Sequence, residues 1–264
     1  DKDFIIFNNS PHFPLFKNAN TCHLKIIHVR AKGRYLKRYD YFDTLVLIAT
    51  REIDFWKKHH KNIELIPNFL PNISNLNTNY SQKVVLSMGR MTIVDEKGFL
   101  RLIDIWKLIQ DSKEFKDWKL HIVGDGELKE KIENKIKDLN LTNSIILKPF
   151  TKDVESEYLS ASIYAMTSHF EGLPMVLIEA QSYALPTISF DIATGPSDII
   201  EDEKSGYLIE DNNLNEYANK LKILMQDENL RAKMGAKSKE IVKSKFSKEV
   251  VMKQWMELFE RLKK

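Results

Sequence analysis

Residues 164–183, with the sequence YAMTSHFEGLPMVLIEAQSY, contain the pattern that decides the predicted fold. An apolar run at 164–167 predicts a buried strand, and apolar residues at spacings of three and four from Met175 onward predict a helix. The loop between them contains Gly172, and Pro174 suits the first helical turn because its missing N–H would be unpaired there anyway. A strand, a glycine-bearing loop and a helix in this order form the repeating unit of an α/β protein.

The same unit repeats outward in both directions, as short β-branched runs that favour buried parallel strands and alternate with helical patterns. Ten strands are predicted, at 4–7, 25–28, 44–49, 63–66, 84–88, 120–123, 145–147, 164–167, 187–190 and 207–209. Helical patterns lie at 98–110, 128–139, 154–161, 175–183 and 214–225. The predicted fold class is therefore α/β, with doubly wound parallel sheets and right-handed crossovers.

Residues 67–82 interrupt this alternation, because they hold two prolines and a run of Asn and Ser without apolar periodicity. We predict a partial N-terminal domain at residues 1–70, since four strands are few for an independent doubly wound domain. A linker follows at 71–82. A complete second domain is predicted at 83–264, with a helical tail at its C-terminal end.

The composition limits the class of protein. The 264 residues are 43% hydrophobic and 29% charged, which is typical of a globular chain, and no apolar run approaches the length of a membrane span. Cys22 is the single cysteine, so it excludes an intramolecular disulfide or a multi-Cys metal site and fits a reducing compartment. No basic-then-apolar leader precedes Asp1, so we predict no signal peptide and a cytoplasmic protein.

Charge is distributed unevenly along the chain. The net charge of +3 is too small to indicate nucleic-acid binding, but residues 1–70 carry +5 and residues 71–264 carry −2. Six cations and no acidic residue occur at 25–38. This run is either a solvated basic face or a surface for a phosphorylated acceptor or anionic lipid, which would place the protein peripherally at the inner face of the membrane.

Three glycine-bearing loops follow predicted strands, at 89–90, 124–126 and 171–174. Ligands of open α/β sheets bind beyond the carboxyl ends of the strands, so these loops can converge on one crevice. Arg90 and Lys97 lie at the first of them and suit a diphosphate, because arginine offers a planar fork and lysine a point charge. The chain contains neither a P-loop motif nor a Gly-x-Gly-x-x-Gly motif, which argues against a P-loop hydrolase and a dinucleotide dehydrogenase.

Two glutamates stand out as a pair, Glu171 in the loop and Glu179 in the following helix, with seven residues between them. This spacing places Glu171 at the helix mouth and Glu179 on a neighbouring strip of the same helix. Because that helix is otherwise apolar, the carboxylate of Glu179 requires a polar partner. Paired hydroxyls of a ligand would provide one.

The sequence SHFEGLPMVLIEA at 168–180 resembles the family four retaining glycosyltransferases of GT-B architecture, particularly bacterial enzymes that extend cell-surface or lipid-linked glycans. Gly89-Arg90, Lys97-Gly98, IVGDG at 122–126 and GPSD at 195–198 contribute to the resemblance. It implies two facing Rossmann-like domains with parallel sheets, the first incomplete in this chain. A nucleotide-sugar donor would bind mainly to the second domain and the acceptor mainly to the first.

The resemblance also implies roles for individual residues. Glu171 would lie against the donor sugar, Glu179 would bind the ribose hydroxyls, and Arg90 and Lys97 would bind the diphosphate. The donor-binding loops would supply backbone groups to phosphate and sugar, from Gly89, Gly172, Leu173, Pro174 and Met175.

His28 lies where the family has a histidine that faces the donor sugar, so it is a candidate catalytic residue. His12 and His23 are nearby competitors, and a purely structural role for His28 stays open. The N-terminal glycine loop of the family has no counterpart here, which predicts an N-terminally truncated chain.

The predicted function is transfer of a sugar, with retention, from a nucleotide-diphosphate sugar, most simply UDP-linked, to a hydroxyl of a surface or lipid-linked glycan. No metal or other cofactor is expected, because fixed cations and a helix N-terminus can stabilise the diphosphate. Two alternatives remain open, a nucleotide-sugar epimerase on the same architecture and a non-catalytic partner protein. Neither the sugar nor the acceptor follows from the sequence.

Overall fold

The computed structural model describes residues 2–8, 12–13, 18, 20–28, 30–31 and 33–263. Within them, ten strands run along the chain: β1 Asp3–Asn8, β2 Thr21–Ile27, β3 Thr44–Leu47, β4 Ile63–Leu65, β5 Val84–Met88, β6 Lys119–Val123, β7 Ile145–Lys148, β8 Ile163–Met166, β9 Thr187–Asp191 and β10 Gly206–Glu210. The same residues form nine α-helices: α1 Ile53–His59, α2 Phe99–Asp111, α3 Lys129–Asp138, α4 Val154–Leu159, α5 Met175–Ser182, α6 Pro196–Ile199, α7 Leu214–Gln226, α8 Glu228–Lys245 and α9 Lys248–Lys263. A short 3-10 helix spans Lys37–Tyr41.

The strands form two parallel sheets, ordered β1-β2-β3-β4 and β10-β9-β8-β5-β6-β7. The α/β prediction is confirmed, and each predicted strand overlaps an observed one. β2 begins at Thr21, four residues before the prediction, because residues 21–24 also pair in register with β1. The short helices α1 and α6 were not predicted from the sequence.

Both faces of the second sheet are covered by apolar side chains. One core lies under α2 and α7 and includes Trp106 and Tyr217, both fully buried. The other lies under α5 and includes Tyr164 and Leu177. Such coverage explains why these strands are apolar on both faces, as parallel strands usually are.

The first sheet is covered on one side by α1, whose Trp56 is buried, and on the other by α9. The helical tail was predicted to be part of the second domain, whereas Val251 and Leu258 of α9 pack against the first sheet. Phe259 of α9 also lies 4.8 Å, centroid to centroid, from Phe4 of β1. The C-terminal helix α9 packs against the first sheet because this face of the sheet would otherwise expose its apolar side chains to water.

The predicted linker is held against the second sheet's domain by buried cations of α8. The Arg231 guanidinium donates to the carbonyl oxygen of Tyr80 at 2.6 Å, and Lys239 Nζ donates to that of Leu76 at 2.8 Å. Burial lowers the pKa of both cations. The hydroxyl of Tyr80 donates to the Ala184 carbonyl at 2.9 Å. The segment is therefore an ordered part of the structure although it has no apolar periodicity.

Candidate functional site

The carboxyl ends of the two sheets meet at Gly172 and His28. A Cβ atom added to Gly172 would lie 2.1 Å from the carbonyl oxygen of His28, so only glycine allows this approach. Arg51, in the loop after β3, also crosses the boundary and pairs with Asp191 at 2.6 Å. The loop at 171–174, which was predicted to bind a ligand, therefore lies at the junction of the sheets.

Glu171 is held by a set of polar contacts at this junction. Lys97 Nζ lies 2.6 Å from its Oε1 atom, and the hydroxyl of Ser168 donates to the same oxygen at 2.7 Å. Thr194 Oγ1 donates to the backbone carbonyl of Glu171 at 2.6 Å. Because the Glu171 side chain is only 12% exposed, these contacts leave it little freedom. The structure thus joins Glu171 directly to Lys97, which the sequence analysis assigned to a separate, diphosphate-binding role.

Glu179 lies in a second part of the site, a cavity of about 420 Å³ that Gly89 and Arg90 also line. Glu179 Oε2 accepts a hydrogen bond of 2.8 Å from the hydroxyl of Tyr158. The polar partner that its helix position requires is therefore present in the protein.

Gly89 connects the two parts. It lines the cavity, and a Cβ atom added to it would lie 2.8 Å from Cγ of Lys97. The side chain of Lys97 therefore passes directly over Gly89 on its way to Glu171. The structure brings Glu179, Gly89, Arg90, Lys97 and Glu171 into one continuous site at the ends of β5 and β8.

The loop 171–174 enters α5 through Pro174, and Met175 begins the helix. Leu173 is buried in the core under α5, whereas Gly172 and Met175 are partly exposed toward the junction of the sheets. Gly172 and Met175 each line a pocket that His28 also lines, so the N-terminus of α5 begins beside the junction, and a helix N-terminus favours an anion.

Arg101 lies behind the loop that carries Glu171, and the sequence analysis missed it. Its Nε atom donates to the carbonyl oxygen of Thr167 at 2.6 Å, and Nη2 donates to that of Ser168 at 2.5 Å. The guanidinium also pairs with Asp211 at 2.8 Å and lies 4.2 Å above the ring of Phe190. Arg101 could have been found from the sequence, because it is an arginine within the apolar stripe of α2.

The three candidate histidines lie in different surroundings. His28 lines the narrow cavity beside Gly172, and its Nε2 atom is 2.5 Å from Oδ1 of Asn8. His23 is buried within β2, and His12 is exposed. Burial, followed by the charge of Lys25, lowers the pKa of His28. Of the three, His28 is the histidine that lies at the junction.

Acidification below pH 6.5 is expected to lower the free energy of unfolding. Burial is the main cause of a lowered pKa at His28, His121 and His169, whose ordinary value is 6.5. The unfolded chain then binds protons more readily than the folded chain, so stability is complete above pH 6.5 and falls as the pH drops below it. Urea midpoints at pH 7.5 and 5.5 measure this effect.

His121→Leu provides the control, because Nδ1 of His121 is buried without a hydrogen-bond partner in the described structure. This variant should lose less free energy of unfolding between pH 7.5 and pH 5.5 than the unsubstituted protein does. Greater stability at pH 5.5 than at 7.5 would contradict the assignment.

The basic run at 25–38 is not uniformly exposed. Lys25 is buried, with a pKa lowered by burial and by Arg38, and Lys32 lies outside the described residues. Lys37 is exposed, as is Arg34. The ring of Tyr35 stacks on that of His59 at 5.1 Å, which places the exposed lysines of α1 and the residues after it, Lys57, Lys58 and Lys61, next to this run.

The family described as Glycosyl transferases group 1 matches residues 68–241, which is more than half of the chain. The chain belongs to this family. The matched stretch of the group 1 glycosyltransferase includes Arg90, Lys97, Glu171 and Glu179.

Two relatives of this chain are named as bacterial glycosyltransferases. The poly(ribitol-phosphate) alpha-N-acetylglucosaminyltransferase of Staphylococcus aureus is 32% identical over 278 residues, covering 98% of this chain and 55% of the relative. The amylovoran biosynthesis glycosyltransferase AmsD of Erwinia amylovora is 37% identical over 205 residues, covering 75% of this chain and 56% of the relative. The chain therefore spans little more than half the length of these relatives.

Solved structures support the fold of this group 1 glycosyltransferase. Staphylococcus aureus TarM has a TM-score of 0.83 at 29% identity, over 97% of this chain and 54% of TarM. A TarM mutant in complex with fondaparinux, alpha-GlcNAc-glycerol and UDP has a TM-score of 0.81 at 30% identity, over 91% of this chain and 51% of that one. The two parallel sheets match these GT-B structures, so the predicted GT-B fold is confirmed. None of the helices among the described residues has the length and apolar character to cross a membrane.

Proposed function

We propose that the chain is the donor-binding part of a retaining glycosyltransferase that transfers a sugar from a UDP-sugar to a hydroxyl of a bacterial cell-surface or lipid-linked glycan. The observation that carries this proposal is the continuity of the site from Glu179, through Gly89 and Arg90, to Lys97 and Glu171. A nucleotide-diphosphate sugar is a long ligand with a ribose, two phosphates and a hexose. The order of acidic, basic and acidic groups along the site suits those three parts.

Each residue has a chemical task in this proposal. Glu179 accepts hydrogen bonds from the ribose, Arg90 and Lys97 bind the diphosphate, and Glu171 lies against the sugar with His28 opposite. The bond between the anomeric carbon and the diphosphate oxygen breaks, and the acceptor hydroxyl oxygen bonds to the same face of that carbon. The hydroxyl proton passes to the leaving diphosphate.

The cations stabilise the charge that develops on that leaving group, a contribution that is often the largest in catalysis. The N-terminus of α5, which follows the loop that carries Glu171, adds the positive end of the helix dipole. The proposal therefore requires neither a metal ion nor a protein nucleophile.

UDP is the proposed nucleotide because a TarM mutant, 30% identical to this chain, was solved with UDP. The acceptor is proposed from the relatives, one of which is named for poly(ribitol-phosphate) and another for amylovoran.

Measurement of thermal stability with UDP, GDP and ADP tests the nucleotide, since a ligand that binds the native state raises its apparent stability. We expect the largest rise with UDP, and no rise with any of the three would contradict the proposal.

Substitution of the two glutamates is expected to produce different losses. Glu179→Gln should weaken UDP binding by about 1–3 kcal/mol, because a ribose hydroxyl loses its charged acceptor. Glu171→Gln should leave UDP binding within about twofold and lower turnover, because its partner is the reacting sugar. Calorimetric titration of both variants and initial rates of the whole protein with a glycan acceptor provide the measurements. Normal UDP binding by Glu179→Gln, or normal turnover by Glu171→Gln, would refute these roles.

We also propose that the basic surface formed by Arg34, Lys37, Lys57, Lys58 and Lys61 binds anionic lipid. Lys37→Ala should weaken binding to vesicles that contain anionic lipid by about 1 kcal/mol, with a further loss in high salt. Flotation with anionic and with neutral vesicles measures it. Lys107, a partly exposed lysine of α2, provides the control, and Lys107→Ala should float like the unsubstituted protein. Equal flotation with both vesicle types would show that the surface is only solvated.

A further inference from the structure

Tyr158 lies directly behind Glu179 and is fully buried. Its hydroxyl is 2.8 Å from Oε2 of Glu179 and 3.5 Å from the carbonyl oxygen of Val176. A phenol has one proton to donate, and a charged acceptor at the shorter distance receives it. Tyr158 therefore holds one particular oxygen of the Glu179 carboxylate.

The other oxygen, Oε1, is left for a ligand. Glu179 lines the cavity of about 420 Å³, and within the described residues Tyr158 is the side chain that hydrogen-bonds its carboxylate. A carboxylate held through one oxygen can still accept hydrogen bonds at the other. The contact thus orients the carboxylate through Oε2 and leaves Oε1 able to accept hydrogen bonds from a ligand in the cavity.

Packing keeps the donor in place. The ring of Tyr158 stacks on that of Tyr183, with centroids 5.2 Å apart and an interplanar angle of 17°, and lies 5.9 Å from that of Tyr164. Burial is the main cause that raises the pKa of Tyr158, so its hydroxyl stays protonated. Neither rotation of the ring nor ionisation removes the hydrogen bond at neutral pH.

We propose that Tyr158 is a positioning residue that orients Glu179 toward the ribose, and that it sets the preference of the site for ribonucleotides over nucleotides that lack the ribose hydroxyls. Tyr158 does not touch the ligand in this proposal, because Glu179 lies between them. The inference rests on the proposed function, in which the cavity takes the ribose of the donor.

The test compares UDP with 2′,3′-dideoxy-UDP by calorimetric titration of the chain and of Tyr158→Phe. The substitution removes one oxygen and keeps the ring in its stack. We expect UDP to bind about tenfold more weakly, as the loss of one charge-assisted hydrogen bond implies. The dideoxy analogue should bind to both proteins within about twofold, so the preference for ribose falls about tenfold.

Tyr183→Phe is the matched control, because it also removes a tyrosine hydroxyl from this stack. The hydroxyl of Tyr183 donates to Glu155 at 3.1 Å, and its ring stacks on that of Tyr158. Tyr183→Phe should keep the full preference for UDP over 2′,3′-dideoxy-UDP. Tyr158→Phe combined with Glu179→Gln should bind UDP like Glu179→Gln alone, because one residue acts through the other.

The outcomes separate the inference from the proposed function. Equal losses for UDP and the dideoxy analogue, additive effects in the double variant or an unchanged preference would overturn the role of Tyr158 alone. A parent chain that binds neither nucleotide would overturn the proposed function and the inference with it.

Discussion

Arg101→Met is expected to lower the free energy of unfolding by about 3–5 kcal/mol, because each buried carbonyl left without a donor costs about 1–3 kcal/mol. The substitution removes the donors to the carbonyl oxygens of Thr167 and Ser168 and the cation above Phe190. Arg101 is 7% exposed, so water cannot easily replace the lost donors. Methionine keeps most of the apolar stem, so the loss reports mainly on the guanidinium.

Urea unfolding measures this loss, with Arg90→Met as the control. Arg90 is exposed, and its substitution should change stability by less than about 0.5 kcal/mol, as is usual for surface positions. A loss below about 1 kcal/mol in Arg101→Met would contradict the argument. It would mean that the loop preceding Glu171 holds its position without this arginine.

Lys97→Met is expected to lower turnover by about 10²–10³-fold, the usual effect of removing one preorganised donor from developing negative charge. UDP binding should weaken by about 1.5–3 kcal/mol, whereas uridine binding should not change, because the nucleoside carries no phosphate. The substitution also removes the ion pair of 2.6 Å with Glu171. Ser168 then remains as the side chain that holds Glu171 Oε1.

Titration with UDP and uridine, together with initial rates of the whole protein, tests this expectation. Lys107→Met is a matched control, because Lys107 also pairs with a carboxylate, Asp111, but lies in α2 with its side chain 36% exposed. It should retain normal binding and turnover. If Lys97→Met lost affinity for uridine and UDP equally, Lys97 would support the structure of the site rather than bind the diphosphate.

The strand pattern could be predicted from the sequence because the relevant interactions are local. Apolar runs of four or five residues between helical patterns indicate buried parallel strands wherever they occur, so all ten strands were located. The helices α1 and α6 were not predicted; α6 has four residues, about one turn, which is too short to show a helical period.

Glu171 and Glu179 could also be found from the sequence, because their spacing lies within one loop and helix. The side chains that contact these glutamates could not be predicted from the sequence. Lys97 is 74 positions from Glu171, and Tyr158 is 21 positions from Glu179. No periodicity of a helix or strand relates residues so far apart, and their distances depend on how the strands are ordered in the sheet.

The sequence by itself determined that this protein is an α/β chain with glycines, cations and carboxylates at the ends of its strands, because hydrophobic period and loop position are local properties. Only the tertiary structure decided that Lys97 pairs with Glu171, that Tyr158 orients Glu179, and that α9 covers the first sheet. These contacts join elements that are distant in the chain. They form when both sheets bury their apolar faces, and that burial sets the positions of the polar groups at the sheet edges.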